Sequence, residues 1–145
     1  MDTSFDFQHA VGHQIRRAHQ LAVAIFMEET QGFDLTPVQF AMLNTLIDEP
    51  GEDQATLAKR VAFDAATSGA VIARLEAKGW VKREADPGDR RRKLLWATEA
   101  GVAIAMKMKD AVSQAQARIV SPLDETERAQ FEQLLGKLVA GLQGE

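Results

Sequence analysis

The sequence predicts a mainly α fold that carries one small β-hairpin. Three observations predict it. Apolar residues recur every three or four positions through six separate segments, the period of amphipathic helices. One stretch alternates instead, Trp80-Val81-Lys82-Arg83-Glu84, and it is answered by Lys93-Leu94-Leu95-Trp96-Ala97 across the turn Asp86-Pro87-Gly88-Asp89. The chain has 145 residues, 46% of them hydrophobic, which suits one domain with a sizeable core.

The first segment, about residues 6–31, sets Val11, Ile15, Ala18, Ala22, Ile25 and Phe26 at helical spacing and stops at Gly32-Phe33-Asp34. Thr36 then caps a helix with Pro37 at its first position, where a missing N–H costs nothing. Phe40, Leu43, Leu46 and Ile47 form its apolar face, and Glu49-Pro50-Gly51 ends it. Asp53 or Gln54 opens a short helix with Leu57, Ala58 and Val61. After a break at Ala62-Phe63, Asp64 caps another helix, whose Val71, Ile72 and Leu75 face inward and whose terminator is Gly79. The hairpin follows. Thr98 caps a long helix from about Glu99 to Val120, and Ser121-Pro122 breaks it. Asp124 with Glu127 three positions later reads as a capping box for the last helix, which carries Phe131, Leu134, Leu135, Leu138, Val139 and Leu142.

Short helix, tight break, second helix and basic hairpin is the order of a winged helix-turn-helix, here flanked by N- and C-terminal dimerisation helices. A helix that descends into a major groove about 12 Å wide needs a slender start. Asp64-Ala65-Ala66-Thr67-Ser68-Gly69-Ala70 supplies one. Thr67 and Ser68 can bond base edges or phosphates, and Ala66 and Ala70 can meet thymine methyls. Ser68 also lies three and four positions from Val71 and Ile72, a spacing that leaves the inward face open to it as the alternative. Arg74, two turns after Thr67, either reaches DNA or pairs with Asp89 to hold the hairpin.

Net charge is −4, which on its face argues against nucleic acid, but the charge is uneven. Residues 55–97 hold ten basic and five acidic side chains, for +5, and the rest of the chain sums to −9. Arg90, Arg91, Arg92 and Lys93 at the hairpin tip repel one another unless solvated or met by an anion such as a phosphate backbone. That tip suits a narrow A·T-rich minor groove. The partner this predicts is double-stranded DNA.

Several classes are disfavoured. The absence of cysteine removes disulfides, thiolate metal sites and thiol redox sensing. The longest apolar run, Leu21 to Met27, is far short of the roughly 20 residues that span a bilayer, and the first residues lack a secretory pattern, so cytoplasm is the expected location. No motif calls for a cofactor, and no nucleophile, phosphate loop or carboxylate pair suggests an enzyme.

The run Leu57-Ala58, Arg74-Leu75-Glu76-Ala77-Lys78-Gly79-Trp80-Val81-Lys82-Arg83, Asp86-Pro87-Gly88-Asp89-Arg90-Arg91 and Leu95-Trp96-Ala97-Thr98-Glu99-Ala100-Gly101 closely resembles the MarR family of bacterial transcription regulators. Asp89-Arg90-Arg91 matches the family's Asp-x-Arg wing pattern. The leucine-threonine-x-x-glycine that follows the wing is present with Ala97 in place of leucine. The resemblance implies a single domain over residues 1–145, with a winged helix-turn-helix at about 36–98 and dimerisation helices at about 6–31 and 99–143. It implies a homodimer on a pseudo-palindromic operator, usually released by a small-molecule inducer. It also implies that Arg91 enters the minor groove while Asp89 and Arg74 brace the wing. The last helix supports the dimer independently, because each of its large apolar side chains gains roughly 1.5 to 3 kcal/mol when buried.

On the first helix His9, His13, Arg16 and Gln20 fall on one stripe, with Arg17 at its border. His13, Arg16 and Arg17, with Phe40 from the next helix, would suit a small aromatic carboxylate. A solvated stripe is the plain alternative. His9 and His13 could instead share a metal ion in a metal-responsive regulator. A winged helix used only for protein interaction is a third reading, and it leaves the arginine cluster without a purpose.

Overall fold

The computed structural model describes residues 4–61 and 64–144. Its elements follow the order α1 (Val11–Glu29), α2 (Pro37–Asp48), β1 (Glu52–Asp53), α3 (Gln54–Arg60), α4 (Ala65–Ala77), β2 (Val81–Ala85), β3 (Lys93–Ala97), α5 (Glu99–Ile119) and α6 (Glu125–Gln143). The fold is mainly α, as the periodicity predicts. The expected break at Ala62-Phe63 lies outside the described residues.

Most helix starts are set by side chains that satisfy otherwise orphaned backbone N–H groups. Thr36 and Gln39 form a reciprocal capping box on α2, with Pro37 at its first position. Asp53, Asp64 and Thr98 accept from Thr56, Thr67 and Gly101 at the starts of α3, α4 and α5. Asp124 and Glu127 form the capping box on α6. The first helix is the exception. Ala10 offers no side-chain cap, so α1 begins at Val11 and not near residue 6, and residues 7–10 form a turn held by Asp6 and His9.

The sheet has three strands and not the two of a simple hairpin. Glu52–Asp53 pairs antiparallel with β3, opposite Leu95 and Leu94, in the order β1-β3-β2. A two-residue strand leaves no alternation to read in the sequence. Gly51, at φ +83, makes the turn that brings β1 alongside β3, and its N–H donates to Leu95 O.

The core gathers Met42, Leu43 and Leu46 of α2, Leu57 of α3, Ile72 and Leu75 of α4, Leu95 of β3 and Met108 of α5, all 0 or 1% exposed. One close approach ties the wing to the scaffold. Gly101 lies so near Trp80 O that a Cβ there would clash with it, and Thr98 Oγ1 donates to Gly79 O. That is the physical use of the threonine-x-x-glycine after the hairpin. Helix α1 packs on α5, where Arg118 bridges Glu28 and Glu29 at 2.9 Å each. Helix α6 has no buried residue; Leu134 is 64% exposed, and Phe131, Leu135, Leu138 and Val139 are also open.

Candidate nucleic-acid interface

Helix α4 has two faces that its sequence sets apart. Ser68, Ile72 and Leu75, at i, i+4 and i+7, are fully buried, and Ala65, Ala66, Thr67, Ala70, Ala73 and Arg74 are exposed. Ser68 therefore leaves the set expected to touch DNA. Its Oγ is buried with no hydrogen-bond partner among the described residues, so its small volume serves packing under α4. Asp64 fixes the start of the helix, its Oδ1 accepting from Thr67 N at 2.7 Å. That backbone bond, aided by the Thr67 hydroxyl, holds the Asp64 carboxyl below its ordinary value.

The wing tip presents charge to solvent. Arg90, Arg91 and Arg92 are exposed, and the Arg91 side chain is 98% so, with only a marginal 4.0 Å approach to Asp89. Asp89 shapes the tip through its backbone and side chain: Asp89 N donates to Asp86 O, and Arg91 N donates to Asp89 Oδ1 at 3.1 Å.

The brace between wing and helices differs from the expected Arg74–Asp89 pair. Arg74 makes no ion pair among the described residues, and Asp89 points into solvent. Two other pairs carry that role. Arg83 of β2 joins Glu76 of α4 at 2.8 Å, and Arg92 joins Asp53 at 2.7 Å with Asp86 at 3.8 Å. Asp53 thus caps α3 and anchors the tip at once. Its carboxyl is held below the ordinary value, first by the Thr56 backbone N–H and then by the Thr56 hydroxyl, with Arg92 adding to it. Arg92 is correspondingly committed, which leaves Arg90, Arg91 and Lys93 of the tip with no ion pair closer than 4.0 Å among the described residues. Sequence reasoning missed Arg83, Glu76 and the second role of Asp53. The signal available was alternation: Arg83 and Leu95 are register partners on neighbouring strands, which sets the face Arg83 shares with its neighbours.

The first-helix stripe is not gathered into a pocket within one chain. His13 is half-buried against Phe7, ring centroids 4.5 Å apart, and its Nδ1 has no hydrogen-bond partner among the described residues. His9 is held by Asp6 at 2.7 Å. Arg16 and Arg17 are exposed, with Arg17 donating to Gln20. Phe40 is elsewhere, 6.0 Å from the Phe26 ring and in the wall of a cavity of about 330 Å³ between α2 and α5. That cavity is mostly apolar, with Ile47, Val102, Met106 and Val112, and carries Asn44, Asp48, Lys109 and Ser113 as its polar groups. Its cation is Lys109, which the sequence alone did not single out. Among the described residues no group of three His, Asp or Glu is placed to hold a metal ion, and no helix is long and apolar enough to cross a membrane.

Comparison with known proteins places these features in a family setting. A model of the MarR family matches residues 33–92. The chain is 35% identical over 138 residues to the HTH-type transcriptional repressor NicR of Pseudomonas putida, covering 95% of this chain and 87% of that one. Among solved structures it is similar to Bordetella bronchiseptica BpsR, whose DNA binding is regulated by 6-hydroxynicotinic acid, at TM-score 0.88 and 34% identity over 94% of this chain and 97% of that one. It is also similar to a mutant of E. coli MarR complexed with operator DNA, at TM-score 0.85 and 28% identity over 93% and 99% of the two chains.

Proposed function

The chain belongs to the MarR family of transcriptional regulators, and on that premise we propose that it represses transcription by binding a pseudo-palindromic DNA operator as a homodimer, released by a small aromatic carboxylate. The observation that carries the DNA reading is the pairing of an exposed, slender helix start, Ala66, Thr67 and Ala70, with a wing tip whose Arg91 is 98% exposed. Such a tip fits a minor groove, where the narrow walls concentrate negative potential. A winged helix used only for protein contact has no need of it.

The dimer reading is supported by α6, which exposes an apolar face that a second copy would cover. In this reading residues 36–98 form the reading head and the terminal helices form the dimer scaffold of one domain. Within that head, residues 55–97 carry the +5 that meets DNA, while the rest of the chain, Asp48, Glu49, Glu52 and Asp53 of the head included, carries the −9 that repels DNA from other faces.

The inducer reading is supported by the chemistry of the α2–α5 cavity. An aromatic ring fits against Phe40, Ile47 and Val112, and a carboxylate fits the Lys109 ammonium. The cavity lies between the helix that leads into the reading head and the helix that packs on α1, so filling it bears on their relative position. BpsR, the similar protein whose DNA binding responds to 6-hydroxynicotinic acid, supports the same ligand class.

The test of the DNA reading is Arg91→Ala in a gel-shift titration on a duplex selected by the wild-type protein. Affinity falls severely while the thermal melt stays unchanged, because the side chain is solvent-exposed. Retained affinity would refute the role.

A further inference from the structure

A second cleft, of about 390 Å³, lies where the end of α1 and the corner before α2 meet the recognition helix. Its walls include Gln31, Thr36, Gln39, Arg74 and Lys78. We propose that this cleft holds a DNA backbone phosphate at the rim of the major groove, so that the α1–α2 corner belongs to the DNA interface. The proposal rests on the DNA-binding reading above and deepens it.

Distance decides what Arg74 meets. It stands seven residues from Thr67 on the same exposed side of α4, about 10.5 Å along the axis at 1.5 Å per residue. The major groove is about 12 Å wide. With Thr67 among the base edges, Arg74 is carried out to the groove wall, where the phosphates lie. Its guanidinium is uncommitted: it has no ion pair among the described residues, and Asp89 does not reach it. Lys78, one turn further, adds a second cation, held over the Trp80 ring at 4.9 Å.

The cleft contains one acid. Asp34 pairs with Lys78 at 3.3 Å, and its side chain is 91% exposed. Lys78 Nζ also donates to the Asp34 carbonyl and to Gln39 Oε1, so a phosphate entering beside Arg74 must compete with these as well as with the carboxylate for Lys78. Two cations against one carboxylate leave the cleft positive. The lining is also more polar than that of the α2–α5 cavity, offering the Thr36 hydroxyl and the Gln31 amide to an oxyanion.

The test compares Arg74→Ala, Arg74→Lys and Asp34→Asn with the wild type by fluorescence anisotropy, on a selected duplex and on a scrambled one, across salt. Each phosphate contact contributes about 0.9 to the slope of log affinity against log salt. Arg74→Ala should therefore weaken both duplexes by the same factor and flatten the slope by about 0.9 per half-site. Arg74→Lys, which keeps the charge, should restore the slope. Asp34→Asn should tighten binding to both duplexes; asparagine tolerates the φ of +55 found there. Arg74→Ala that relaxes preference at one base pair and leaves the slope intact would make Arg74 a base reader and overturn the proposal. So would variants that change neither affinity nor slope. A wild-type protein that ignores both duplexes overturns the DNA-binding reading and this proposal with it, a result distinct from the other two.

Discussion

Asp53 is the residue through which the wing and the reading head are tested together. Its Oδ1 accepts from Thr56 N at 2.7 Å and caps α3, while Oδ2 meets Arg92 at 2.7 Å and anchors the hairpin tip. Asp53→Ala removes both. Loss of an Asp cap costs about 1 kcal/mol within a range of 0.5 to 2. The ion pair, with side chains 23% and 49% exposed, contributes no more than about 1 kcal/mol after solvent screening. The expected destabilisation is about 0.5 to 3 kcal/mol, and each kcal/mol lowers Tm by roughly 2 to 4 °C for a domain not far from this size. Asp53→Asn separates the two roles, because asparagine caps as well as aspartate but cannot hold Arg92 by charge. It should melt close to wild type and still bind operator less tightly. The sign is diagnostic: removing a negative charge beside a DNA-binding surface strengthens binding by simple electrostatics, whereas loosening the wing weakens it. In a double-mutant cycle Asp53→Asn and Arg92→Ala should be less than additive in operator affinity. Tighter binding by Asp53→Asn, or strict additivity, would refute the brace.

Four further outcomes follow from the same geometry. Ser68→Ala should leave operator affinity unchanged and stability unchanged or higher, since the hydroxyl is buried without a partner among the described residues; a loss of DNA binding in anisotropy would return Ser68 to the interface. Lys109→Met should leave DNA binding intact and raise the concentration of an aromatic carboxylate needed for release about tenfold or more, the loss of a charged hydrogen bond of about 1.5 to 3 kcal/mol; normal release would remove Lys109 from the site. Leu135→Glu with Leu138→Glu should sediment as a monomer and lose operator affinity on the order of 100-fold; a dimer in the ultracentrifuge would contradict the role of α6. The Thr56 and Thr67 backbone N–H groups hold the Asp53 and Asp64 carboxyls below the ordinary carboxylate value, so the stability they add is present above that ordinary value and is lost as pH falls through their folded values. Thermal melts should steepen in their acid decline below about pH 4, and Asp64→Asn, which caps without titrating, should soften that decline; an unchanged acid limb would contradict the assignment.

Much of the fold was legible because short-range chemistry determines it. Thr36-Pro37, Asp64, Thr98 and the Asp124/Glu127 box announce helix starts through side chains that reach only three residues, and a sequence shows such distances directly. The i, i+4, i+7 spacing of Ser68, Ile72 and Leu75 is equally visible in the sequence, yet its hydroxyl keeps Ser68 among the expected DNA contacts until its full burial removes it. What sequence could not show was choice among long-range partners. Arg74 and Arg92 both sit near acids along the chain, yet the packing of β1 beside β3 brings Asp53 to Arg92, while Arg74 has no ion pair among the described residues. The third strand was invisible because two residues carry no period. The cavity was invisible for a similar reason: Phe40 and Lys109 are 69 positions apart and meet only when α2 packs on α5, whereas His13, Arg16 and Arg17 share a helix with one another but not a cavity with Phe40.

The most direct measurement of the central claim is the affinity of the wild-type protein for a selected duplex and a scrambled duplex at 50 and 200 mM salt. A protein making six to ten phosphate contacts loses about 10³ to 10⁵ in affinity between those two concentrations. The predicted result is a steep loss with salt on both duplexes and a preference for the selected one at every salt concentration. A flat salt response, or equal affinity for the two duplexes, would contradict a sequence-reading wing and helix.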